Sequence, residues 1–173
     1  NISNAQVQNT IADLNAALRN QGYYDPSMGV DTEIELCLAQ RDPNGQATNG
    51  INRITDPVTD MIIETDDLPV KNLSRWDPTQ YLNIWVVNTI SSQFGGTAVV
   101  GYATFPSNHG TTTDGIVVEH PYFGGSQDGT KITVHEIGHY LGLYHTFQDG
   151  CTNDNCLMDG DRVCDTPPDA STS

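Results

Sequence analysis

Residues 135–145 constrain the fold of this chain more than any other segment, because five of their positions follow a fixed pattern. The segment is HEIGHYLGLYH, with histidines at 135, 139 and 145, glutamate at 136 and glycine at 142. Residues four apart lie on one face of an α-helix, so His135 and His139 can direct both imidazoles at one metal ion. Gly142 can adopt the left-handed conformation that ends a helix, after which His145 can return to the same ion. The pattern therefore predicts a helix, a sharp turn and a three-histidine metal site.

Three histidine ligands leave one position of a zinc ion for water, which is typical of a catalytic zinc site. Glu136 lies one step around the helix, about 100° away, where its carboxylate can reach that water without binding the metal. The pattern thus predicts zinc at His135, His139 and His145 and a general base at Glu136. Two other interpretations stay open, namely ordinary surface or core histidines on a helix and a zinc site without catalysis.

The extended motif is similar to that of the metzincins, a clan of zinc endopeptidases, and its flanks resemble one family of that clan. The motif continues as HTF at residues 145–147, and residues 160–167 are GDRVCDTP. Together they resemble the pappalysin family, which includes ulilysin-like secreted proteases. Upstream segments also resemble the family, and these are IELCLA (34–39), YLNIWV (81–86) and GYATFP (101–106).

The resemblance implies an α/β (α+β) zincin-like fold with a mixed twisted sheet, a helix that carries the zinc motif and a loop-rich C-terminal part. We expect one catalytic domain over residues 1–173, with an upper subdomain (1–142) and the start of a lower one (143–173). The family also has a methionine turn below the zinc, and Met158 lies too close to His145 to supply it. A truncated domain is therefore expected, and the remainder of a larger or cleaved chain is a predicted partner.

Apolar periodicity predicts further elements. Val7, Ile11 and Leu14 recur at helical spacing, which predicts a helix over residues 3–20. Period-two alternation or continuous apolar runs predict strands over residues 33–38, 81–88, 98–103 and 115–118. In the family, an antiparallel edge strand before the zinc helix pairs with extended substrate, and Ile116–Glu119 is the candidate for it. An ordinary edge strand without this role is the alternative.

Carboxylates cluster in the irregular segment that follows the zinc motif. Oxygen ligands on a flexible loop suit calcium better than zinc. The family resemblance implies calcium near this segment, and we carry it over to the three positions that match the family's GDxVxDTP pattern, Asp161, Asp165 and Thr166. The alternative is a solvated acidic loop without an ion.

Charge and cysteine content limit the partners and the compartment. The 22 acidic and 7 basic residues give a formal net charge of −15, which argues against nucleic acid or an anionic membrane surface as partner. No apolar stretch approaches the roughly 18 residues of a membrane span, so membrane insertion is not expected. The four cysteines, Cys37, Cys151, Cys156 and Cys164, allow two disulfides in three pairings. A loop-rich acidic domain with clustered cysteines favours secretion, and free thiols in a cytosolic protein are the alternative.

These observations together predict a secreted, extracellular zinc endopeptidase that hydrolyses protein or peptide substrates. In this prediction a zinc-activated water attacks the peptide bond, and Glu136 acts as general base and then as general acid. The alternative is a non-catalytic metal-binding or adhesion module built on the same fold.

Overall fold

The α-helices and strands all lie before Leu141, and the described chain from that residue onward is irregular. The computed structural model describes residues 2–22, 25, 27, 29–95, 98–124, 126–152, 154–167 and 169–170. In these residues the α-helices are α1 (Asn4–Leu18), α2 (Ile63–Asn72) and α3 (Gln127–Tyr140). The β-strands are β1 (Asp60–Ile62), β2 (Ile84–Val87), β3 (Thr89–Ser91), β4 (Gly101–Ala103) and β5 (Ile116–Glu119). This arrangement confirms the predicted mixed class and the loop-rich C-terminal part.

The central strand of the larger sheet is β5, so the prediction that Ile116–Glu119 forms the substrate-binding edge was wrong. The strand order is β2-β5-β4, with β2 parallel and β4 antiparallel to β5. Ile116, Val117 and Val118 are each 0% exposed, and a strand that is apolar on both faces is typical of a central position. In the described chain the antiparallel edge strand is therefore β4. Strands β1 and β3 pair in parallel as a separate two-stranded sheet.

Residues 33–38 do not form the predicted strand, although the structure describes all of them. The side chain of Asn15 in α1 pairs with the backbone of Leu36 in place of a neighbouring strand. The Leu36 N–H donates to Asn15 Oδ1 (2.7 Å), and Asn15 Nδ2 donates to the Leu36 carbonyl (2.8 Å). One side-chain amide can satisfy the backbone N–H and carbonyl of a single residue in this way, but it cannot form the repeated hydrogen bonds of a β-ladder.

Strand β5 directs alternate side chains to the two faces of the sheet, and this alternation places α3. Val117 packs in one cluster with Val70 of α2, whereas Ile116 packs in another with Leu14 of α1 and Ile137 of α3. Successive strand residues point to opposite faces. The helices α1 and α3 therefore lie together beneath one face of the sheet, and α2 covers the other.

A buried ammonium group ties α2 to strand β4 and to the connection that follows it. Lys71 is 1% exposed, and its Nζ lies 2.7 Å from Asp67 Oδ1 and donates to the carbonyl of Thr113 at 2.7 Å. The hydroxyl of Tyr102 in β4 donates to the same Asp67 oxygen at 2.6 Å. Burial, and then the hydrogen bond to Asp67, raise the pKa of the Tyr102 phenol. Lys71, Asp67 and Tyr102 thus hold the edge strand against α2 through a buried network.

Replacing Lys71 with methionine should destabilise the protein by about 3 kcal/mol, because Asp67 and the Thr113 carbonyl then lose a buried partner. Urea unfolding, monitored by circular dichroism, measures the change in the free energy of unfolding. Lys131→Met is the matched control, since Lys131 pairs with Asp128 at the surface (3.0 Å) and such pairs contribute about 0.5 kcal/mol. Equal losses in the two variants would contradict a structural role for the buried network.

Candidate metal centre

After α3 the chain reverses direction through a Schellman motif, a pair of hydrogen bonds that ends a helix. The Gly142 N–H donates to the His139 carbonyl, and the Leu143 N–H donates to the Gly138 carbonyl, both at 2.9 Å. Gly142 has φ +102°, a conformation that a residue with a Cβ rarely adopts. The predicted function of this glycine in ending the helix is therefore confirmed, and it brings His145 back toward the helix.

The three motif histidines converge on a single point. The Nε2 atoms of His135 and His139 are 2.9 Å apart, those of His139 and His145 are 3.0 Å apart, and those of His135 and His145 are 3.1 Å apart. In the described part of the chain, this is the one group of three or more His, Cys, Asp or Glu residues whose ligand atoms all lie within 4.8 Å of one another. The sequence motif thus predicted the residues that the fold assembles.

These separations fit a zinc ion. Tetrahedral zinc with Zn–N bonds of about 2.0–2.1 Å has ligand nitrogens roughly 3.3 Å apart, close to the separations seen. His139 also has the tautomer that a ligand needs. Its Nδ1 lies 2.7 Å from the Leu143 carbonyl oxygen, and because a carbonyl only accepts hydrogen bonds, Nδ1 carries the proton and Nε2 presents its lone pair.

Burial and neighbouring charge favour the neutral form of two of these imidazoles. Burial, and then the charge of the neighbouring His139 and His145, lower the pKa of His135. Burial, followed by the charge of His139, lowers the pKa of His145 as well. A neutral imidazole is the form that binds a metal, so the protein environment favours the ligand form of both residues.

Glu136 lies between α3 and strand β4, and one of its oxygens has no partner. The residue is 5% exposed, and among the described residues Oε2 is buried without a hydrogen bond. Burial raises the pKa of this carboxyl to about 7. A Cβ placed on Gly101 of β4 would lie 3.1 Å from Glu136 Cγ and 3.2 Å from Oε1. A buried carboxylate with a free oxygen beside a metal-ligand group is typical of a functional acid or base.

Aromatic rings surround the histidines, and the motif analysis assigned these rings no role. Phe105 contacts the rings of His139 (5.3 Å between centroids) and Tyr144 (4.9 Å). Phe147 stacks on His145, with centroids 4.7 Å apart and planes 10° apart. The only sequence signal for Phe147 was its place in the HTF flank of the motif.

The segment after the motif is closed by covalent and turn interactions, and the calcium prediction gains no support from them. One disulfide joins Cys156 to Cys164, whereas Cys37 and Cys151 are exposed free thiols. One of the two disulfides that four cysteines allow is therefore present.

In the acidic segment, the Asp161 carboxylate accepts the Val163 N–H at 3.0 Å, and the Thr166 N–H donates to the Val163 carbonyl. Among the described residues, neither Asp161 nor Asp165 belongs to a metal-ligand group.

Comparison with known proteins identifies relatives of one kind. A family model described as pregnancy-associated plasma protein-A, of peptidase family M43, matches residues 64–173. An extracellular metalloprotease of Verticillium alfalfae is 37% identical over 120 residues, which are 64% of this chain and 39% of that protein. One from Arthroderma otae is 32% identical over 172 residues, which are 97% of this chain and 53% of that protein.

A solved structure shows the same fold. A promirolysin mutant from Tannerella forsythia matches with a TM-score of 0.79 and 32% sequence identity, over 99% of this chain and 59% of that one. The chain thus spans about two fifths to three fifths of the length of these relatives.

Zinc should stabilise the protein through the three histidines. At a free Zn²⁺ concentration of about 100 times the dissociation constant, binding to the native state alone adds about 2.7 kcal/mol. Differential scanning fluorimetry with and without a chelator measures this as a rise in the unfolding midpoint. His145→Ala should remove the rise, and His120→Ala, which changes an exposed histidine outside the group, should retain it. An equal rise in the unfolding midpoint of both variants would show that zinc binds outside the three-histidine group.

Proposed function

Because the chain belongs to the pappalysin family of metzincin zinc metallopeptidases, peptidase family M43, we propose that it forms the catalytic core of a secreted zinc endopeptidase. The observation that carries this proposal is the convergence of three Nε2 atoms within 3.1 Å of one another, next in sequence to a buried glutamate with a free carboxylate oxygen. The proposed substrates are proteins or peptides. The proposed zinc ligands are His135, His139 and His145.

Glu136 has the properties required of a residue that moves the proton. Zinc, when bound, lowers the pKa of a coordinated water and polarises a peptide carbonyl. In the proposed mechanism the Glu136 carboxylate accepts a proton from the attacking water and then donates it to the leaving amine nitrogen. Burial raises the pKa of this carboxyl above its ordinary value, which favours the protonated form that the second step needs.

The free edge of β4 is the proposed binding site for the substrate backbone. In the described sheet β4 pairs only with β5, so its outer amides and carbonyls can form an antiparallel ladder with an extended peptide. A depression of 580 Å³ lies beside this edge, and its walls include Leu68 of α2, Tyr102 and Phe105. This space can receive a side chain of the bound peptide. The role first predicted for Ile116–Glu119 is therefore proposed for Gly101–Ala103.

We also propose that the protein is secreted and that its catalytic domain is divided into two subdomains. The matching relatives are named extracellular metalloproteases, and the Cys156–Cys164 disulfide is typical of an oxidising compartment. In the described residues, none of the helices has the length and apolar character needed to cross a membrane. Gly142, just beyond the end of α3, is the proposed boundary between an upper subdomain (1–142) and the beginning of a lower one (143–173).

Glu136→Ala should lower kcat for peptide hydrolysis by about 10³-fold while zinc remains bound, because the variant loses the base and keeps every ligand. A quenched fluorescent peptide measures cleavage, and atomic absorption measures zinc. Glu35→Ala is the control, since Glu35 is exposed and pairs with Arg19 at the surface. The alternative function, a non-catalytic metal-binding or adhesion module, predicts instead that the wild-type protein binds zinc and shows no chelator-sensitive cleavage.

Gly101→Ala should also impair cleavage, because the added methyl group would meet Glu136 Cγ at 3.1 Å and displace its carboxylate. We expect a fall in kcat of about ten- to hundredfold, with the zinc content of the wild type. Gly138→Ala is the matched control, since a Cβ there meets Leu143 Cδ1 at an ordinary 3.7 Å. A kcat equal to that of the wild type in Gly101→Ala would show that Glu136 does not depend on this contact.

A further inference from the structure

His145 is the one histidine of the group that a helix does not position. His135 and His139 both lie within α3 (Gln127–Tyr140), whereas His145 follows the helix end in irregular chain. A side chain outside regular structure has more rotamers to lose when it binds a metal, and this loss weakens binding. Another contact must therefore hold the His145 ring in place if the site is to be preformed.

His139 and His145 are held in different ways. His139 has both its helical backbone and the hydrogen bond from Nδ1 to the Leu143 carbonyl (2.7 Å). The His145 ring is instead aligned with other rings. It lies nearly parallel to the ring of Phe147, with centroids 4.7 Å apart and planes 10° apart, and it is 21° from the plane of His135.

Two successive hydrogen-bonded turns fix the backbone that carries the His145 and Phe147 rings. The Gln148 N–H donates to the His145 carbonyl at 2.9 Å, which makes Phe147 the third residue of a tight turn that begins at the histidine. A second hydrogen bond, from the Gly150 N–H to the Phe147 carbonyl (3.0 Å), closes the next turn. Asp149 has φ +58° in that second turn, a conformation that aspartate tolerates better than most residues.

We infer that Phe147 is a positioning residue for the third metal ligand, and that it holds the His145 imidazole ready for zinc by ring stacking. The inference rests on the proposed zinc site. Phe147 contacts neither the metal nor the substrate in this role. In the described part of the chain, this stacking takes the place of the hydrogen bond by which a metal-binding histidine is more often oriented.

Phe105 provides an internal comparison. Its ring is tilted by 37° against His139 at 5.3 Å, and His139 is already held by α3 and by the Leu143 carbonyl. If any ring beside a histidine contributed equally, loss of the Phe105 ring and loss of the Phe147 ring would have the same effect on zinc binding. If stacking orients the ligand, the loss of Phe147 has the larger effect.

The test is a zinc competition titration of the full chain against a chromophoric chelator, together with the visible spectrum of the Co²⁺-substituted protein. Phe147→Leu should weaken zinc binding by about tenfold and change the Co²⁺ bands, because His145 is no longer aligned. Phe147→Tyr keeps the ring and should bind zinc within about twofold of wild type. Phe105→Leu should have the smaller effect, and Phe94→Leu, at an 85% exposed position, should have none.

Wild-type zinc affinity and an unchanged Co²⁺ spectrum in Phe147→Leu would overturn the inference, as would equal impairment of the Leu and Tyr variants. A wild-type chain that binds no Zn²⁺ would contradict the proposed function and this inference together. If Phe147→Leu does not fold, the metal-free wild-type protein still provides a test by NMR. The His145 ring protons should be shifted upfield by the Phe147 ring current, and unshifted resonances would also overturn the inference.

Discussion

The metal centre depends on how α3 packs beneath the sheet. Ile137 is 3% exposed and packs with Ile116 of β5 and Leu14 of α1, which sets the rotation of the helix about its axis. With about 100° between successive residues, this orientation leaves His135 at the surface and turns Glu136 into the interior against β4. The packing of this apolar face therefore accounts for His135 lying at the surface and Glu136 lying against the strand.

The zinc motif could be predicted from the sequence because its geometry is local. The helical spacing of His135 and His139 and the left-handed turn at Gly142 need no information from distant residues. Strand order is not local, and for this reason β5 was recognised as a strand but assigned to the wrong place in the sheet. Residues 33–38 show a related failure, since their apolar alternation is real but Asn15 supplies the pairing that a strand would have supplied. Helix α2 was not predicted, because it contains Pro69 and depends on the buried Lys71 contacts.

In the acidic segment after the motif, two of the carboxylates accept backbone hydrogen bonds within turns. Asp159 accepts the Asn155 N–H at 3.0 Å, and Asp161 accepts the Val163 N–H at the same distance. The Cys156–Cys164 disulfide closes the loop that contains Asp159 and Asp161. Carboxylates used as acceptors in turns are stabilised by backbone N–H groups, so these two side chains have a structural role in the loop.

Strand β4 connects the parts of the proposed active site. Its Gly101 makes room for Glu136, its free edge is the proposed site for the substrate backbone, and its Tyr102 is anchored to Asp67 and, through Asp67, to Lys71. Two of the proposed ligands come from α3, and the third comes from a hydrogen-bonded turn in which its ring stacks on that of Phe147. A displacement of β4 would consequently move the substrate edge and alter the packing around the Glu136 side chain, whose backbone lies on α3 together with His135 and His139. In this fold, zinc binding can therefore persist when hydrolysis is lost, whereas in the proposed mechanism hydrolysis requires the zinc.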